Sequence, residues 1–209
     1  MSMRRIVIGL AASLALVAAT LLLGWWRVDG PGAERAAAPD DPRPSPLTEM
    51  AFALTDQDGR AVGPETLIGA PSMVFFGFTH CPEVCPTTPS DISLWLDDMG
   101  EEAQAITPVF ITVDPERDTL EAMSQYVSFF HPSIQGWTGP PEQVRQAAEG
   151  FRVRYERVDL GDGDYTMDHT ASVFLFDEEG RFATAIDYHE PREFAVPKIR
   201  RAMGAGAEG

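Results

Sequence analysis

Residues 72–91 read SMVFFGFTHCPEVCPTTPSD, and the order of the parts within this stretch decides the fold class. Ser72 to Phe78 is a short, almost wholly apolar run, the pattern of a central strand covered on both faces. Two cysteines follow at once. Thr88, Pro89 and Asp91 then have the character of a helix N-cap, a first-turn proline and an acidic residue near the positive end of the helix dipole. Ile92, Trp95, Leu96 and Met99 recur at helical spacing, which predicts a helix to about Gly100 and puts Trp95 in the core. A thiol pair therefore sits between the carboxyl end of a buried strand and the start of a helix.

Downstream, Val109 to Val113 is a second buried strand ending at Asp114 and Pro115. Asp118 to Phe130 is helical, with Leu120, Met123, Val127 and Phe130 on one face. Strand, helix, strand, helix is the rhythm of a parallel βαβ unit. A further helix is expected from Pro141 to Phe151. Val153 to Val158 and Tyr165 to Asp168 flank Gly161-Asp162-Gly163 as an inserted hairpin. Ala171 to Phe176 and Phe182 to Ile186, joined by DEEG, make another, and a closing helix starts near Pro191. Upstream, Phe52 to Leu54 and Arg60 to Val62 flank DQDG as a small hairpin at the domain entrance. There is no internal repeat, and the whole reads as one α/β sheet with the thiol pair at the carboxyl end of a central strand.

Between Arg5 and Arg27 the chain runs from Ile6 to Trp26 without a charged side chain, about the length a helix needs to cross a bilayer. A secretory signal has a shorter apolar core and a small-residue cleavage site, whereas this run ends in Gly24, Trp25, Trp26 and Arg27, so an uncleaved anchor is expected. Arg4 and Arg5 keep the N-terminus cytoplasmic and send the remainder outward. Residues 28–46, with AAAPDDPRPSP at their end, are too rich in Pro, Ala and charge to build a core and read as a tether. The expected division is 1–27 anchor, 28–46 tether and 47–209 folded domain, the last on the periplasmic side of a bacterial inner membrane.

The 209 residues leave room for one ordinary core beyond the anchor. A formal net charge of −16 excludes a nucleic-acid partner, which needs clustered Lys and Arg. Cys81 and Cys85 are the only cysteines. The loop they close is too short to staple a fold, so metal binding or redox chemistry is the better reading. Residues four apart in a helical turn lie about 6 Å apart along the axis, so the pair can be dithiol or disulfide. A helix N-terminus stabilises the thiolate that both metal binding and thiol exchange require. Two thiolates are too few for a closed zinc site, so a third donor must come from elsewhere. Of the four histidines, His169 is the best candidate, since its segment can return to the cysteine loop between the inserted hairpin and the strand SVFLFD. His80 would point to the opposite strand face, His131 and His189 lie near helix ends, and Met167 is better read as a core contact than as a thioether ligand. A Cys, Cys, His set combines soft sulfur for Cu(I) with imidazole that also suits Cu(II).

Three motifs, GFTHCPEVCP at 77–86, DPERDT at 114–119 and DHTASVFLFDEEG at 168–180, resemble those of the Sco/SenC family, and the likeness runs from about Phe52 to the last helix. The resemblance implies a thioredoxin-like fold, copper held by Cys81, Cys85 and His169, and a role in assembling the binuclear copper centre of cytochrome c oxidase. The implied partners are the copper-receiving oxidase subunit and a copper donor protein; a periplasmic thiol reductant is expected on thermodynamic grounds instead, because a disulfide has lost both thiolate ligands and the compartment is oxidising. Glu83 stands where many relatives have Asp, a change expected to be neutral. Asp114, Arg117 and Asp118 match the second motif, where a helix cap and local ion pair supporting the site loop are expected. The alternatives to a metal carrier are a thiol-disulfide oxidoreductase that keeps the oxidase cysteines reduced, with Cys81 and Cys85 as its catalytic pair, and a copper or redox sensor. A peroxidase is less expected, because nothing marks a peroxide-activating site.

Overall fold

The computed structural model describes residues 13, 17–20, 22, 43–80, 87–188 and 190–204. The chain separates into two units, Met1–Pro42 and Arg43–Gly209. In the first, the described residues are helical and exposed. No helix among the described residues is long and apolar enough to cross a membrane, and most of the expected span at 6–26 lies outside them.

The second unit is built on a seven-stranded sheet. Its strands are β1 (Leu54–Asp56), β2 (Ala61–Val62), β3 (Ser72–Gly77), β4 (Thr107–Thr112), β5 (Gln135–Thr138), β8 (Val173–Phe176) and β9 (Phe182–Ile186), in the order β2-β1-β5-β4-β3-β8-β9. β6 (Tyr155–Gly161) and β7 (Asp164–His169) pair only with each other. β3, β4 and β5 run parallel, while β8 joins β3 antiparallel. Every residue of β3 is buried, as its unbroken apolar run requires of a strand with cover on both faces. Alternation along the strands divides the core. Val74, Phe76, Phe78, Val109, Ile111 and Phe174 join one cluster with Val144, Ala147 and Phe151. Met73, Phe75, Phe110 and Leu175 face the other, with Ile92, Trp95, Met123 and Ile199.

Among the described residues four α-helices complete the unit: α1 (Thr87–Met99), α2 (Leu120–Val127), α3 (Pro141–Gly150) and α4 (Arg192–Gly204). Trp95 is buried, as its spacing predicts. α2 is shorter than expected at both ends, because the Thr119 side chain accepts from the Ala122 amide and caps it there, so Asp118 lies outside the helix. The first strand of the entrance hairpin runs two residues later than read, so Asp56, the first residue of the expected turn DQDG, instead ends β1, where its carboxylate accepts from the Asp58 and Arg60 amides and closes the turn. β6 extends to Gly161, and the chain reverses through left-handed backbone at Gly161, Asp162 and Gly163.

Candidate metal centre

The site is assembled where β3 and β4 end. Val113 N–H donates to the Gly77 carbonyl, holding the two strand ends together as the chain leaves the sheet. The segment that follows β3 is fixed by one buried carboxylate. Asp118 is fully buried and accepts from the Thr79 amide at 3.0 Å, from the Thr79 hydroxyl at 2.6 Å and from the Thr112 hydroxyl at 2.5 Å. His80 Nδ1 lies 3.5 Å from the same carboxylate. The DPERDT motif thus supports the loop that leads into the cysteines, as expected, but Asp118 does so by accepting from that loop directly, and Thr119 provides the cap.

Asp114 and Arg117 of the same motif turn the other way, toward the inserted hairpin. Arg117 Nε donates to Asp114 at 2.5 Å, Nη1 donates to the Tyr165 carbonyl at 2.9 Å, and the guanidinium lies 3.6 Å over the Tyr165 ring. Tyr165 donates its hydroxyl to Asp114 at 2.9 Å. Burial, and then the hydrogen bond to the Asp114 carboxylate, raise the Tyr165 phenol above its ordinary pKa. Arg157 also stands 3.6 Å from that ring. Two guanidinium groups cannot share one face at that distance, so Tyr165 is sandwiched between them.

His169 ends β7, opposite Tyr155. Its ring meets Phe78 edge-on at 6.0 Å and lines a narrow cavity with Gly77, Thr88, Phe110 and Ala171. Phe78 stands three residues before Cys81, and Thr88 three after Cys85, so His169 is brought to both ends of the cysteine loop. Nδ1 lies 3.0 Å from the Thr170 carbonyl oxygen. That oxygen can only accept, so in the neutral ring Nδ1 carries the proton and Nε2 the lone pair, the arrangement of a ligating imidazole.

Cys81, Cys85 and His189 lie outside the described residues. Among the described residues no three His, Cys, Asp or Glu side chains converge as a metal-binding group. His131 is engaged locally, its Nδ1 2.7 Å from the Ser133 hydroxyl. Met167 is half-buried against the cluster that contains Phe78. The roles of Thr79, Thr112 and Tyr165 were missed in the sequence. Only Tyr165 left a trace there, standing four residues before His169 on the same strand face.

The family model SCO1/SenC matches residues 40–204. This chain belongs to the SCO1/SenC family. A solved structure of Bradyrhizobium japonicum ScoI with copper bound is 42% identical, with a TM-score of 0.69, and the match covers 77% of this chain and 99% of that one. The mitochondrial SCO1 homolog 1 of Arabidopsis thaliana is 39% identical over 63% of this chain and 40% of its own length. A SCO2-like protein of Rickettsia prowazekii is 39% identical over 63% of this chain and 65% of its own length. The chain therefore spans less than two thirds of these two curated relatives. The mixed α/β, thioredoxin-like fold is shared with the family's solved structures.

Proposed function

We propose that this chain is a copper carrier in which Cys81, Cys85 and His169 hold the metal for transfer, without turnover, to the copper-receiving subunit of cytochrome c oxidase. The observation that carries the reading is the position of His169, against Phe78 and beside Gly77 and Thr88, at both ends of the loop bearing the thiols. The bond from Nδ1 to Thr170 fits this role, because it fixes the ring orientation and the tautomer. The donor set fits as well, with two soft thiolates suited to Cu(I) and an imidazole suited to either oxidation state. The copper-bound Bradyrhizobium japonicum relative supports the choice of metal. In this reading residues 1–27 anchor the chain in a bacterial inner membrane, 28–46 tether it, and the domain works in the periplasm. A disulfide has lost both thiolate ligands, so a thiol reductant must keep the pair reduced in that compartment, and a donor protein supplies the copper.

His169→Ala tests the carrier role against thiol exchange, since it removes one ligand and leaves both sulfurs. Cu(II) affinity should fall by more than about 100-fold, the upper end of what losing a mere supporting partner costs. Cu(I) should lose less, because two thiolates still suit the softer ion. Exchange with a small disulfide should persist, and oxidase assembly in cells should fail. Normal oxidase assembly in this variant, with its loss in Cys81→Ser, would count against the carrier and favour the reductase.

A further inference from the structure

β6 and β7 form a sheet of their own, and their backbone bonds do not extend into the seven-stranded sheet. Most residues of β6 are exposed. A two-stranded ribbon is marginal by itself, so what fixes its place on the body also fixes the residue at its end. That residue is His169. Tyr165, Met167 and His169 alternate onto one face of β7, and each is fastened differently. Tyr165 is gripped by Arg117 and Asp114, Met167 packs on the core, and His169 meets Phe78. The Arg117 guanidinium also stands over Phe78, 5.7 Å from the ring centroid. One aromatic ring thus touches both the Arg117 strut and the histidine.

We propose that Arg117, held by Asp114 and clasping Tyr165, is a positioning residue that sets where His169 stands relative to Phe78 and the strand end that leads to the cysteines. Arg117 is no ligand. It acts through two routes, along about 14 Å of β7 from Tyr165 and across the Phe78 ring. A lysine cannot replace it, because a point charge lacks the planar fork that donates to Asp114 and to the Tyr165 carbonyl while stacking on the phenol.

The copper arm of the test rests on the carrier reading, so a second arm uses no metal. In the reduced, copper-free full-length protein in detergent, the nuclear Overhauser effect between the His169 and Phe78 rings reports the placement directly. Arg117→Gln should at least halve it. The same variant should raise the Cu(II) dissociation constant by about 10- to 100-fold, the range typical of a lost supporting partner, and alter the nitrogen hyperfine coupling of bound Cu(II). Alkylation of Cys81 and Cys85 should stay within two-fold of wild type, whereas general loosening of the fold would speed it. Tyr165→Phe keeps the stacked ring and loses only the bond to Asp114, so it should shift the same readouts less, and it decides the matter if Arg117→Gln does not fold. Ring contact and Cu(II) affinity within two-fold of wild type in both variants would overturn the proposal. If the wild type takes up no copper, the carrier reading falls and the ring contact alone decides the positioning role.

Discussion

Asp118 gathers donors from two places in the chain, the backbone and hydroxyl of Thr79 and the hydroxyl of Thr112, with the His80 ring 3.5 Å away. A carboxylate with no solvent exposure is tolerable only when its lone pairs are occupied in this way. An asparagine in its place would keep the volume but turn an amide donor toward groups that also donate. Asp118→Asn should therefore destabilise the domain by about 2–3 kcal/mol, the range for a lost charge-assisted bond with a buried donor left unpaired. Urea unfolding followed by the fluorescence of buried Trp95 and Trp137 measures this, and a change below about 0.5 kcal/mol would show that the network contributes no stability. The effect should reach the site, since Thr79 lies two residues before Cys81. Amide exchange at Thr79 should accelerate in the same variant.

Among the elements, β5 shows how a short strand is specified by its neighbours. It is only four residues, and Gly136 lies beneath α2, where an added Cβ would come within 2.8 Å of Val127 Cγ1 and 3.2 Å of Met123 Cε. Valine is stiff at χ1 and cannot swing aside, so Gly136→Ala should cost about 1–3 kcal/mol, with thermal denaturation as the check. This strand was not legible in the sequence. QGWT has neither the length nor the apolar run that exposed β3 and β4, and its place is set by parallel pairing with β4 and close approach of α2. The long periodic elements were legible because each carries its own signal, an unbroken apolar run in β3 or a 3.6-residue stripe in α1. The site divides the same way. The thiol pair can be read from residue type and spacing, and the candidate histidine from the likeness of its motif to the family's. The Asp118 network and the Arg117–Tyr165 clasp cannot, since they join residues 39 and 48 positions apart.

At the scale of the molecule, the folded unit begins where the chain is first fastened down. Ser45 N–H donates to the Gly150 carbonyl and Leu47 N–H to the Gly180 carbonyl, and among the described residues both core clusters are drawn from Leu47 onward. A chain beginning at Arg43 should therefore fold with an unchanged thermal midpoint and an unchanged copper affinity. Its location should change completely. An acidic domain is repelled by anionic headgroups, so it has no electrostatic means of staying at a membrane, and retention then depends wholly on the apolar run and on the positive charge of Arg4 and Arg5. Because Arg43 already belongs to the folded unit, the part of the proposed tether left free is 28–42, which if extended would span roughly 45 Å at about 3.1 Å per residue. The full chain should remain in the membrane fraction after an alkaline wash, and protease added to the outer face of spheroplasts should digest its domain. The chain beginning at Arg43 should stay in the supernatant when mixed with anionic lipid vesicles. Recovery of a soluble, shortened form of the full chain from cells would show that the apolar run is a cleaved export signal, and sedimentation of the shortened chain with vesicles would show that the domain carries a membrane-binding surface of its own.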